Sequence, residues 1–153
     1  MTAGSAALAA GVTVLPDPHF AISDADRQSR ETAVMSAYSL QQQLAPARET
    51  GQTLSGQIAM MRTNLAASSK LDQVAAQSAQ VQSRISRTLT DAYNLENSID
   101  AYQGLPTAAQ WRDLDWAWED AIAAVTALNR LIQQDLPALS SVDIPPAALP
   151  VRR

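Results

Sequence analysis

Two groups of side chains in this 153-residue chain could do chemistry, and both have a plainer explanation. His19, the only histidine, stands near Asp17, Asp24 and Asp26. Imidazole and carboxylate together are ligands for a divalent metal. Asp24 and Asp26, however, follow Ser23 at the start of a helical pattern. There a hydroxyl side chain caps the first turn, and carboxylates complement the positive end of the helix dipole. Capping explains both acids without a metal. The second group is Asp113, Asp115, Glu119 and Asp120. Paired carboxylates hydrolyse glycosides, but acids at the head of a helix are ordinary dipole partners. No Glu-x-x-His pair of the kind a carboxylate-bridged di-metal bundle needs is present, and no Gly-rich phosphate loop. The absence of cysteine removes thiolate chemistry and disulfides. The chain reads as a non-enzyme with no catalytic residue, no metal and no cofactor.

The elements that would have to position any site are helical. Much of the apolar content is alanine, only seven residues are aromatic, and Val and Ile are scattered, so an all-α fold in one domain is expected. A net charge of −4 spread along the chain argues against nucleic-acid binding, which needs a basic face or stripe. No segment approaches the roughly 20 apolar residues of a membrane span. Met1–Leu15 has no Lys or Arg ahead of its apolar stretch, which Gly4 and Gly11 interrupt, and it is a poor signal peptide. On that reading the chain is cytosolic or cut from something larger.

Residues 1–22, broken by Pro16 and Pro18, read as a linker or the remnant of a preceding domain. A first helix is expected over 23–66. Its apolar or small positions run Ala37, Leu40, Leu44, Ala47, Gly51, Leu54, Ile58, Met61, Leu65 in alternating steps of three and four, a heptad seam. Pro46 lies inside it and predicts a kink, while Gly51 and Gly56 each weaken it by about 1 kcal/mol relative to alanine. A second helix over 70–100 carries the seam Leu71, Val74, Ser78, Val81, Ile85, Thr88, Ala92, Leu95, Ile99. Gly104 and Pro106 end it. Thr107 with Gln110 forms a capping box that opens a third helix over 107–136, closed by Pro137. Residues 140–153 are a proline-rich tail expected to wrap loosely or stay disordered. Short connections between three heptad helices predict an elongated up-down-up three-helix bundle with coiled-coil-like packing over 23–139.

The third helix carries apolar residues on two faces. Trp111, Leu114, Trp118, Ile122, Val125, Leu128 and Ile132 share one side and are expected in the core. Trp116, with Ala123, Ala127 and Leu131, points nearly opposite. A three-helix bundle buries only one broad face of each helix. The second stripe therefore predicts either a docking surface for a parent domain, another protein or a second copy, or a face covered by the N-terminal segment or the tail.

Asp17-Pro18, then Phe20-Ala-Ile-Ser-Asp-Ala-Asp26, a long helix, Pro106-Thr107-x-x-Gln110 and Asp135-Leu136-Pro137-Ala138-Leu139 occur in that order. This pattern resembles the C-terminal helical region of exported bacterial proteins that carry sortilin-like, BNR-repeat β-propellers, often labelled glycosyl hydrolases. The resemblance covers roughly residues 12–150 and rests on caps and helix ends. It departs at Met1–Gly11, which is unlike the domain that would precede, and at His19, where an arginine is more typical. It implies a non-catalytic accessory or docking module in the periplasm or outside the cell, packed on a propeller. Any activity of such proteins would belong to the propeller, so no catalytic residue carries over. The alternative is a self-associating helical protein, a homodimer closed through the Trp116 face.

Overall fold

The computed structural model describes residues 22–64, 68–101 and 104–152. They form three helices and no strand: α1 (Asp24–Asn64), α2 (Ser69–Ala101) and α3 (Ala108–Arg130). A π-helical turn, Leu131–Asp135, and a 3-10 turn, Leu136–Ala138, extend α3. Pro137 lies inside the 3-10 turn, where its missing N–H removes a donor from the α-helical ladder, while Leu136 before it keeps helical geometry (φ −63°, ψ −44°). The linker assigned to residues 1–21, with Asp17 and His19, lies outside the described residues, as do Leu65 and the Ala66-Ala67 connector. None of the described helices is long and apolar enough to cross a membrane.

The helix starts follow from local chemistry. Ser23 caps α1, its Oγ accepting from the Asp26 N–H at 3.1 Å. At α3 the Gln110 N–H donates to Thr107 Oγ1 at 3.1 Å, and the Thr107 N–H donates back to Gln110 Oε1 at 2.8 Å. Pro46 does not end α1, which is continuous through it. Pro46 and Gln42 are both exposed, so the carbonyl that the proline leaves without its helical donor lies toward solvent.

Side-chain links fix the direction of each helix. Arg30, early in α1, donates to the carbonyl oxygens of Ile99 and Asp100 at the end of α2, and Arg62 late in α1 pairs with Asp72 early in α2 at 2.7 Å. These two helices are antiparallel, and the Arg62–Asp72 pair sets a cation at the C-terminal end of α1 beside an anion in the first turn of α2, where each complements its helix dipole. Gln110 Nε2 donates to Ser98 Oγ, and Arg84 pairs with Asp120 at 2.6 Å, so α3 runs antiparallel to α2. The result is an up-down-up bundle.

The seams read from the heptads are buried. Leu40, Leu44 and Leu54 of α1 and Ile85 of α2 are fully enclosed, and the polar seam residues Ser78 and Thr88 are buried with them. Ser78 Oγ lies 3.2 Å from Ser55 Oγ, and Gln82 Nε2 donates to the Gly51 carbonyl at 2.8 Å. Gly51 leaves room for this contact, because a Cβ at that position would stand 3.2 Å from Gln82 Cγ and press the glutamine side chain aside.

On α3 the expected burial is turned. Leu114, Trp118, Val125, Leu128 and Ile132 are in the core and Trp111 is half-buried against it, but Ile122 is 42% exposed and Leu131 only 5%. Ala117, Ala121 and Ala124 are buried as well. The buried arc of α3 is therefore turned toward its alanine side. Leu131 moves inward and Ile122 outward. α3 is tied to α1 by one buried polar bond, from Trp118 Nε1–H to Ser36 Oγ at 3.0 Å.

The tail, expected to wrap loosely or stay disordered, lies as an arm across α3 and α1, held at defined points. Ile144 is 5% exposed and belongs to the core, and Pro150 is buried. The Asn129 carboxamide of α3 grips the Ala147 main chain from both sides: its Nδ2 donates to the carbonyl, and its Oδ1 accepts from the N–H, each at 2.8 Å. Gln43 of α1 grips Val151 in the same way, accepting at 2.7 Å and donating at 3.1 Å. Arg152 then pairs with Asp115 of α3. The arm therefore descends antiparallel to α3. About 21 Å of helical rise separates Asn129 from Asp115, and the extended chain from Ala147 to Arg152 reaches about 17 Å before the arginine side chain is added. Asp115, Ile122 and Asn129 are spaced by seven and share the face of α3 beneath the arm, so Ile122 faces the arm's side of the bundle.

Two predictions follow from this packing. Gly56→Ala should raise the unfolding free energy by about 1 kcal/mol, since a Cβ there meets nothing within 4 Å. Gly51→Ala should gain clearly less, because Gln82 must move; paired urea titrations check the difference. Hydrogen exchange by NMR checks the arm. Asn129→Ala should speed exchange of the Ala147 N–H by about fivefold, the loss expected for a hydrogen bond worth about 1 kcal/mol. Gln43→Ala should act chiefly at Val151.

Candidate interaction surface

The four residues expected to form a second face on α3 do not stay together. Trp116 is 58% exposed and Ala123 is exposed, whereas Ala127 is half-buried and Leu131 is in the core. Leu131 was placed on the wrong side because the buried arc follows the small residues. Ala127, Leu131 and Val81 instead line the contact of α3 with α2. The surface contracts to the part around Trp116.

What it loses along α3 it gains from α2. Trp116 and Ala117 form one wall of an open groove of about 510 Å³, with Thr88, Asp91, Leu95 and Ser98 on the other. The α2 positions 88, 91, 95 and 98 step by three and four and so present one row toward α3. That row was visible in the sequence as a spacing, but only the antiparallel pairing of α2 with α3 shows that it faces Trp116.

The acidic group at the head of α3 is divided by the fold. Asp115 turns to the opposite side and pairs with Arg152 of the arm. Asp113 and Asp120 line the Trp116 groove together with Asp91. Asp120 is held by Arg84 at 2.6 Å, while Asp91 and Asp113 make no ion pair among the described residues. Glu119 is exposed. The tail does not cover Trp116. It crosses the Asp115–Ile122–Asn129 row, and neighbouring residues such as Asp115 and Trp116 point about 100° apart on a helix.

In chemical terms the groove offers a large aromatic surface beside carboxylates. An indole face attracts a cation electrostatically, and carboxylates nearby accept its hydrogen bonds. Among the described residues no three His, Cys, Asp or Glu side chains converge as a metal site would require. No protein-family model matches the chain, and neither characterised proteins nor solved structures provide a match.

Proposed function

We propose that this chain is a non-catalytic helical docking module that binds a partner protein through the α2–α3 groove around Trp116. The observation that carries this reading is the exposure of Trp116, at 58%, on a bundle whose other two tryptophans are sheltered by the core or packed against it. An exposed indole in a groove is the kind of residue that anchors protein interfaces. The carboxylates around it select the partner's chemistry: an arginine or lysine seated on the indole face, with apolar contact to Ala117 and Leu95.

A β-propeller domain of an exported protein is the partner that the family resemblance suggests, and it would act with this module in the periplasm or outside the cell. Closure of the Trp116 face on a second copy is the weaker reading, because it would bring the carboxylates of two grooves together. A non-catalytic role is further supported by the engagement of Asp115 and Asp120 with arginines rather than with each other.

The test is a calorimetric titration of the full chain against a purified propeller domain, with Trp116→Ala beside the parent chain. Affinity should fall by about thirtyfold or more, the effect of losing an interface anchor worth at least 2 kcal/mol. Helicity and melting temperature should stay the same. Unchanged affinity would remove Trp116 from the interface, and loss of folding would make it a structural residue.

A further inference from the structure

The C-terminal arm is held the way a ligand is held. All four hydrogen bonds to the Ala147 and Val151 main chain come from two side-chain amides, Asn129 on α3 and Gln43 on α1. A carboxamide that accepts a residue's N–H and donates to its carbonyl reproduces the exchange of bonds in an antiparallel strand pair. It reads backbone and not sequence. Sequence selectivity comes from three further points: the buried Ile144, the enclosed Pro150, and Arg152 on Asp115. The seam between α1 and α3 thus has the parts of a peptide-recognition groove, built for an extended, proline-containing segment with an apolar anchor at one end and a basic residue at the other.

The connection to this ligand is weak. Between the 3-10 turn and Ile144, the Leu139 and Ser140 amides bond to the Leu136 carbonyl, and the Val142 N–H bonds to Ser140 Oγ. Ser141, Val142 and Asp143 are exposed. None of those contacts reaches α1 or α2. Nothing in the recognition depends on which molecule the arm belongs to.

We propose that the α1–α3 seam is a peptide-binding site and that its second ligand is the arm of another copy of this chain. Reciprocal exchange of arms yields a two-fold dimer. Every copy carries both halves of the contact, Asn129, Gln43 and Asp115 in the groove and Ile144, Ala147, Val151 and Arg152 on the arm, so each bond lost in one molecule is regained in its twin. The tethered arm competes at an effective concentration in the millimolar range, so exchange grows with protein concentration and with any change that unseats the arm. This dimer uses the face opposite the Trp116 groove and does not depend on what docks there.

The experiment takes the full chain carrying Ile144→Asp, which unseats its own arm, and titrates it with a fluorescent synthetic peptide of residues 140–153. Anisotropy should show saturable binding. It should weaken at least tenfold when Asn129→Ala and Gln43→Ala are added to the acceptor, and vanish when the peptide itself carries Ile144→Asp. Should Ile144→Asp cost the fold, Val151→Pro serves as acceptor instead: it removes the N–H that Gln43 accepts, at a position 59% exposed. Light scattering on the parent chain should then show a dimer that grows with concentration, survives Trp116→Ala and is lost with Ile144→Asp. A folded acceptor that fails to bind the peptide overturns the groove. A parent chain that stays monomeric to about 1 mM, the scale of the tethered competitor, overturns the exchange.

Discussion

Three helices in sequence close into a bundle only if the first and last share a filled seam, and that closure is the constraint on which this structure rests. Short connections bring α1 to α2 and α2 to α3, but no connection brings α1 to α3. Of the three pairs of helices, α1 and α3 are the least intimate. Two features complete the third side. The buried Trp118–Ser36 bond joins the two helices directly, and the arm crosses between them with Ile144 in the core. A buried indole N–H without a partner would cost about 1–3 kcal/mol, so Ser36 is as much a part of the core as its apolar neighbours.

The same closure divides the surface of α3 into two sides. Asp115, Ile122 and Asn129 face the arm, while Asp113, Trp116 and Asp120 face the α2 groove. The first side is satisfied by the chain itself, and the second presents an aromatic and carboxylates to solvent. An acidic run that looks uniform in sequence is therefore split, with Asp115 paired to the arm on one side and Asp113 and Asp120 lining the α2–α3 groove on the other. The arm's hold combines modest terms, backbone bonds through amide side chains and one buried isoleucine, against the ordering of its own residues.

Much of the fold was legible in the sequence because its signals are periodic. The alternating steps from Ala37 to Met61 and from Leu71 to Ile99 mark seams that are in fact buried, and Thr107 with Gln110 marks a cap that forms both of its bonds. The misplacement of Leu131 and Ile122 came from weighting large side chains. The buried arc of α3 is turned toward its alanine side instead. A tail wrapping over the bundle was one expected course, but the way it is held was not legible. Side-chain amides that clip a distant main chain have no spacing rule, and Ile144 is a lone apolar residue between Asp143 and Pro145. Half of the candidate docking site was hidden for a related reason, since Asp91, Leu95 and Ser98 join Trp116 only through the pairing of α2 with α3.

The most direct measurement is the pattern of nuclear Overhauser contacts from the Ile144 methyl groups in the full chain, with methyl-selective labelling. An arm that closes the third side predicts cross-peaks from Ile144 to core methyl groups of the bundle, and a shift displaced from that of a free peptide. Contacts to sequence neighbours alone, at a free-peptide shift, would contradict the account and leave the α1–α3 side open.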